Sequence, residues 1–372
     1  MGTPGQGTHD VSALRWAEGR SKAAVVTASL ALLATGCAQD AQQSAAGGES
    51  CQGRTVTVGV TKSASDAPFY VAEDKGYFAD EGLKVRFLPF DSAAKMIAPL
   101  GAGQLDVGAG APSAGFYNAA AREVGLRIVA DKGSMPADHG YMPLMVRKDL
   151  YDSGKVKKIG DLKGLKVAEP AQATATSSTA AVMLKSGGLG YDDVKHEYLG
   201  FTEHVTAFGN KAVDAGLTTE PSASIAEKRG VAVRLATPPD FYRNQQLAVV
   251  LYGGAFAAKD SKAGACFMTA YLKGARDYVS SMSGGKVTGK GSDEIVRIVS
   301  EATGLDPKLY RSLVANYVHP DGEVNLDSLR QDHAFFEQQG WMEGEVSVRD
   351  LVDPSFAEAA VKKLGLYDKP AS

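Results

Sequence analysis

The stretch of this 372-residue chain that comes nearest to a catalytic motif is Gly110-Ala-Pro-Ser-Ala-Gly, where Ser113 stands in the place of an esterase nucleophile. That chemistry wants glycine on both sides of a strained strand-to-helix turn, and Ala111 fills the first of those positions. It also needs a later histidine and acid; His319 and His333 are available, but both fall in a helical segment. Gly108, Gly110 and Gly115, with Asp131 downstream, invite a dinucleotide reading. The spacing fails, because Ser113 replaces the third glycine and Pro112 removes an amide from the turn that would cradle pyrophosphate. Residues 284–290, GGKVTGK, approach a phosphate loop, yet Gly291 follows the lysine where Ser or Thr must reach magnesium. The histidines show no HExxH spacing and the cysteines no CxxC, so no metal or cofactor is indicated.

These exclusions leave binding. Short hydroxyl-rich loops recur at 63–66, 111–113, 132–134, 172–178 and 219–222, with a further polar loop at 244–246. Ser and Thr ahead of a helix are its usual caps. What selects these is their shared place at the C-terminal ends of strands, where ligands bind in open α/β sheets. Hydroxyls and helix N-terminal amides together suit an anionic head group. The candidate contacts are Ser65, Asp66, Pro112, Ser113, Ser134, Thr176, Ser177, Ser178 and Glu220, with the helix over 177–185 expected to aim its amides at the charge.

The elements that must position them begin at residue 54. Val56, Val58 and Val60 alternate with Thr55, Thr57 and Gly59, and Phe69, Tyr70, Ala72, Gly76 and Phe78 then follow at helical spacing. Val85, Phe87 and Leu88 resume a strand, which makes residues 54–90 a parallel crossover unit. Alternation of this kind predicts a first α/β lobe over 54–140 and a second over 141–252, with strands near 142–146 and 247–252 crossing between them as a hinge. Helical patterns from residue 260 onward return 253–372 to the first lobe.

A composition of 44% hydrophobic residues supports two globular lobes, and a formal charge of −3 offers no basic face for nucleic acid. No run of twenty apolar residues exists. Arg20 and Lys22 precede an apolar run at 23–33, the pattern of a signal peptide. The run ends in Leu-Ala-Thr-Gly-Cys, which resembles a bacterial lipobox. Residues 1–36 are then removed and Cys37 is lipidated; a plain secretory signal is the alternative. Residues 37–53 are small and polar, a tether without the apolar surface to fold. Cys51 and Cys266 remain, an even pair suited to a disulfide in an oxidising compartment, although a buried free Cys266 satisfies the same sequence.

The stretches APFYVAEDKGYFADEGLKV (67–85), GAGQLDVGAGAPSAGFYNAAAREVGLRIVADKGS (101–134) and GLTTEP (216–221) resemble the substrate-binding proteins of ABC importers for nitrate, sulfonate, taurine and thiamine precursors. The resemblance implies an α/β, two-lobed type II periplasmic-binding-protein fold with its C-terminal helices packed on lobe one. Pro68 would open a helix behind the cleft, and residues 63–66 would line the ligand. It further implies a non-enzymatic, extracytoplasmic monomer, anchored to the membrane through Cys37, that delivers a small organic anion to a permease. A thiamine-precursor pyrimidine, stacked on Phe69, Tyr117, Phe201 or Tyr242, is the alternative solute. A lipid-anchored hydrolase using Ser113 and a sensor without a permease are the remaining readings. Fungal enzymes of this fold carry a Cys-rich iron motif that the chain lacks.

Overall fold

The computed structural model describes residues 51–258 and 260–368, so Cys37, the apolar run at 23–33 and most of the proposed tether lie outside the described residues. The first lobe opens with β1 (Arg54–Val60), α1 (Ala67–Asp74), β2 (Leu83–Pro89), β3 (Val107–Gly110), α2 (Ala114–Ala121) and β4 (Arg127–Met135). The second contains β5 (Leu144–Arg147), β6 (Lys166–Glu169), α3 (Ala175–Ser186), β7 (Lys195–Tyr198), α4 (Phe201–Gly209), β8 (Ala215–Leu217), α5 (Ser222–Lys228) and β9 (Ala232–Ala236). The chain returns through β10 (Gln245–Tyr252) to α6 (Ser261–Ser280), α7 (Ser292–Thr303), α8 (Leu326–Gln338) and α9 (Ser355–Leu364).

Two five-stranded sheets result, ordered β2-β1-β3-β10-β4 and β7-β6-β8-β5-β9. In each, three parallel strands are followed by an antiparallel one that arrives from the other lobe: β10 pairs with β3 and β4, and β5 pairs with β8 and β9. The lobes are thus built alike and joined by two segments, 136–143 and 237–244. This moves the second crossing. Residues 247–252, expected to be a hinge strand, are fully buried and already hydrogen-bonded within the first sheet.

Pro68 sits in the first turn of α1, where its missing N–H is no loss. Phe69 and Phe78 are wholly buried and meet Phe267 and Tyr271 of α6 at ring separations of 4.7–6.2 Å. That contact needs Gly274, because a Cβ there would lie 2.4 Å from the Pro68 carbonyl oxygen. The C-terminal helices accordingly pack on lobe one, and the segment through α8 also reaches lobe two, where Phe335 and Trp341 stand edge-on to Tyr191 at 5.4 and 5.7 Å. Cys51 and Cys266 are joined by a disulfide with Cα atoms 6.8 Å apart, which fixes the last residues of the proposed tether against α6. Among the described residues no helix is long and apolar enough to cross a membrane.

Candidate ligand site

Where the lobes meet, three backbone hydrogen bonds sew loop to loop. Ala64 N donates to Glu220 O at 2.9 Å, Ala114 N to Ala173 O at 2.8 Å, and Ala175 N to Pro112 O at 2.9 Å, with Ser113 and Thr174 forming an isolated antiparallel bridge. Behind this seam lies a small cavity of about 30 Å³. Ser63, Ser65, Ala111, Lys132 and Leu247 line it from lobe one; Thr174, Thr176, Phe201 and Thr219 line it from lobe two, with Tyr141 on the linker between them.

Lys132 is the centre of the site. Its side chain is 0% exposed, and its Nζ lies 2.7 Å from Asp66 Oδ1 and 2.8 Å from Ser65 Oγ. Two adjacent irregularities in the ladder bring it there. Asp131 pairs with Val249 and Gly133 with Ala248, which leaves Lys132 as an extra residue on β4; Ser134 pairs with Gln246, which leaves Leu247 extra on β10. A β-bulge re-aims the residue it inserts, and both extra residues line the cavity. The bulge also explains the strand's length. Asp-Lys-Gly-Ser has turn chemistry and 132–134 reads as a loop from sequence, yet pairing with β10 carries β4 through it to Met135.

A run of hydroxyls leads from the surface to the ammonium: Thr61 Oγ1 to Ser63 Oγ at 3.0 Å, Ser63 Oγ to Ser65 Oγ at 2.9 Å, and then Lys132. Asp66 is held in turn by Ser63 N at 2.9 Å. The Tyr141 hydroxyl adjoins Ser65 and the backbone of Gly133, where a Cβ would stand 2.6 Å from it. Burial pushes the Tyr141 phenol well above its ordinary range, so it remains a neutral donor.

Ser65, Asp66 and Thr176 therefore converge on the cleft, and Pro112 and Ser113 reach it through their backbone. Ser113 spends its hydroxyl accepting from Phe116 N, the cap of α2. His319 and His333 are committed elsewhere, one accepting from Asp321 N and Glu323 N, the other edge-on to Tyr117. The remaining candidates point away. Ser134 donates to Asp131, whose carboxylate also accepts from Gly133 N, Gln246 and His319 N. The Glu220 side chain is wholly buried against Arg234 and Ser224, leaving only its carbonyl at the seam. Ser177 is drawn to Thr174 N and Tyr191, and Ser178 to Asp332 and Tyr242, because successive helical residues turn by about 100° and cannot share a face. The amides expected to be free at the start of α3 are largely in use, Ala175 N on Pro112 and Ser177 N on Thr174 O. Of the aromatic candidates, Phe201 alone lines the cavity. Phe69 and Tyr117 are core, and Tyr242 donates to Asp332 at 2.9 Å.

Lys132, Tyr141, Thr174 and Thr219 were not among the residues singled out from sequence. Lys132 lay inside a loop that had been flagged for its serine, and only the pairing of β4 with β10 shows which of the two turns inward.

The family model described as NMT1/THI5 like matches residues 63–281. A curated relative from Brucella abortus, named "Putative binding protein BAB2_1146", is 27% identical over 175 residues, covering 46% of this chain and 50% of its own. The chain thus spans half the length of the curated relatives it matches. Among solved structures, the alkanesulfonate-binding protein SsuA from Xanthomonas axonopodis is 17% identical at a TM-score of 0.65, covering 81% of this chain and 99% of that one. The nitrate-binding protein NrtA from Synechocystis is 15% identical at a TM-score of 0.67, covering 84% and 89%. At these identities the two structures establish the two-lobed fold.

Proposed function

The chain belongs to the NMT1/THI5-like family, and on that premise we propose that it is the extracytoplasmic solute-binding subunit of an ABC importer, closing its lobes over a small organic anion and passing it to a permease. One observation carries the reading: the Lys132 ammonium is delivered by a β-bulge into an interlobe cavity walled by hydroxyls. An ammonium has three donors, and Asp66 and Ser65 account for two. An anion entering beside Ser65 becomes a further acceptor, with Thr176 and Thr219 closing from lobe two. The names of the two similar structures, alkanesulfonate-binding and nitrate-binding, both denote anions and support the same class.

The cavity is about the size of one water molecule, so admission of a larger solute requires the lobes to part at the seam and swing about 136–143 and 237–244. Closure then excludes water and strengthens the charge-assisted bonds. Anchoring through lipidated Cys37 and a monomeric state belong to the same proposal, and mass spectrometry of the native N-terminus tests the anchor.

A thermal-shift screen of methanesulfonate, taurine, nitrate, acetate and an aminomethylpyrimidine tests the function. A ligand at 100 times its Kd adds about 2.7 kcal/mol of stability. The anions are expected to stabilise the parent and to have no effect on the Lys132→Met, Asp66→Asn pair, which removes the ammonium without stranding its partner. Equal stabilisation of both proteins, or none by any anion, refutes the reading.

A further inference from the structure

The Lys132 ammonium does not meet the cavity with its charge free. Asp66 stands behind it, itself 0% exposed, with Oδ1 2.7 Å from Nζ and Oδ2 accepting from Ser63 N at 2.9 Å. Among the described residues that line the cavity, Lys132 alone is charged, and lobe two offers Phe201 and the neutral hydroxyls of Thr174, Thr176 and Thr219. Two of the amides that open α3 are already engaged, Ala175 N on Pro112 and Ser177 N on Thr174. Beyond the seam, Arg234 is matched by Glu220 and Glu227. The buried site is therefore formally neutral before anything binds. A solute with a second negative charge would bring it close to the Asp66 carboxylate with no cation to answer it, at a depth where repulsion is screened far less than at the surface.

We propose that Asp66 sets the charge specificity of the site: by neutralising Lys132 it admits an anion of one charge and refuses an anion of the same shape that carries two. The proposal rests on the anion reading above and adds a rule that shape does not supply. Methanesulfonate and sulfate share a tetrahedral sulfur and differ by a methyl group against a charged oxygen, and the hydroxyls of the cavity would donate to either. Discrimination between them has to come from an element that repels the second charge, and Asp66 is placed to be that element.

Calorimetric titration of the full-length protein with methanesulfonate and sulfate at constant ionic strength tests this. The parent is expected to prefer methanesulfonate by about a hundredfold, and Asp66→Asn to narrow that ratio by about tenfold or more. Methylphosphonate, which passes from one charge to two with pH while keeping the same shape, reads the rule in the parent alone: above its second ionisation its Kd should rise about tenfold per pH unit. Asp131, pushed up to about 6 by burial, and the phenols of Tyr70, Tyr141 and Tyr271, pushed well above their ordinary range, are the titratable groups around the pair. Methanesulfonate measured at each pH carries the same protein changes and cancels them. Should Asp66→Asn not fold alone, millimolar sulfate is expected to refold it while leaving the parent's melting temperature unchanged, because the dianion supplies the charge that Asn lacks.

A parent that binds sulfate as tightly as methanesulfonate, or methylphosphonate equally at every pH, overturns the proposal and leaves the anion reading intact. An unchanged ratio in Asp66→Asn, or an unfolded variant that sulfate does not rescue, shows that Asp66 is not the determinant and also overturns it. If methanesulfonate, sulfate and methylphosphonate all fail to bind the parent at any pH, the anion reading falls and this proposal with it.

Discussion

Lys132 and Asp66 are both withdrawn from water, so each depends on the other. Breaking a buried pair from one side typically costs about 3–5 kcal/mol, because the survivor is left charged and unpartnered. Lys132→Met should therefore lower the unfolding free energy in urea by about that much, and adding Asp66→Asn should recover most of it. A double variant no more stable than the single one would mean that the pair is not what sets the cost. Asp332 makes a different demand. Burial pushes its carboxyl up to about 7 from an ordinary value of 3.8, against the donors Ser178, Tyr242 and Gln245, which pull it down. The folded state then holds a proton that the unfolded chain releases, so stability is fully present below about pH 4 and is lost as pH rises to about 7, on the order of 4 kcal/mol in all. Asp131, pushed up to about 6, adds to the same decline. Asp332→Asn, a neutral stand-in, should melt near the parent at pH 4 and well above it at pH 8; parallel melting curves across that range would contradict this. Neither Lys132 nor Asp332 could be chosen from sequence. Their environments are made by partners more than sixty residues away, and composition near them reads as an ordinary turn and an ordinary helix.

Local pattern decides which elements were legible. β1, α1 and β2 follow from a period that switches from two to 3.6 and back, although the helical stretch expected through Phe78 breaks at Gly76, where φ is +74°, so that Phe78 lies in a separate short helix, Tyr77–Asp80. β4 and β10 do so only in part, since one continues through turn-like residues and the other, legible as a strand, lies inside the first sheet and not at a crossing between lobes. The N-terminus of α3 shows the same limit at finer grain. The Thr-Ser-Ser run was legible as a helix start facing the cleft, but helical rotation sends Thr176 to the cavity, Ser177 to Tyr191 and Ser178 to Asp332. Ser177→Ala should thus cost about 1 kcal/mol of stability and leave solute affinity alone. Calorimetry beside denaturation separates the two quantities, and a tenfold loss of affinity would return Ser177 to the site. The disulfide between Cys51 and Cys266 closes a loop across 215 residues. Cys266→Ser should lower stability by about 2–4 kcal/mol, read from the urea midpoint.

At the scale of the molecule, two similar lobes sewn together by backbone hydrogen bonds make closure a property of the seam as well as of the solute. Two of the three donors, Ala114 and Ala175, are the first residues of α2 and α3, the position where a helix tolerates proline. The residues before them, Ser113 at φ −137°, ψ 158° and Thr174 at φ −117°, ψ 170°, already have the extended backbone that proline demands of its predecessor. Ala114→Pro and Ala175→Pro should therefore preserve both helices. Each removes one seam donor and sets a ring methylene where the amide hydrogen met the opposing carbonyl. A hydrogen bond is worth about 1 kcal/mol net, so each change should lower the closed-to-open ratio at least about fivefold, and the pair together about thirtyfold. Small-angle scattering without solute should show a larger radius of gyration in the double variant. Saturating anion should restore the parent value at a correspondingly higher Kd, since binding must now supply the closure that the seam no longer favours. If the double variant scatters like the parent and binds as tightly, these two bonds contribute nothing to closure, and the Ala64–Glu220 bond with the joining segments 136–143 and 237–244 must hold the lobes together without them.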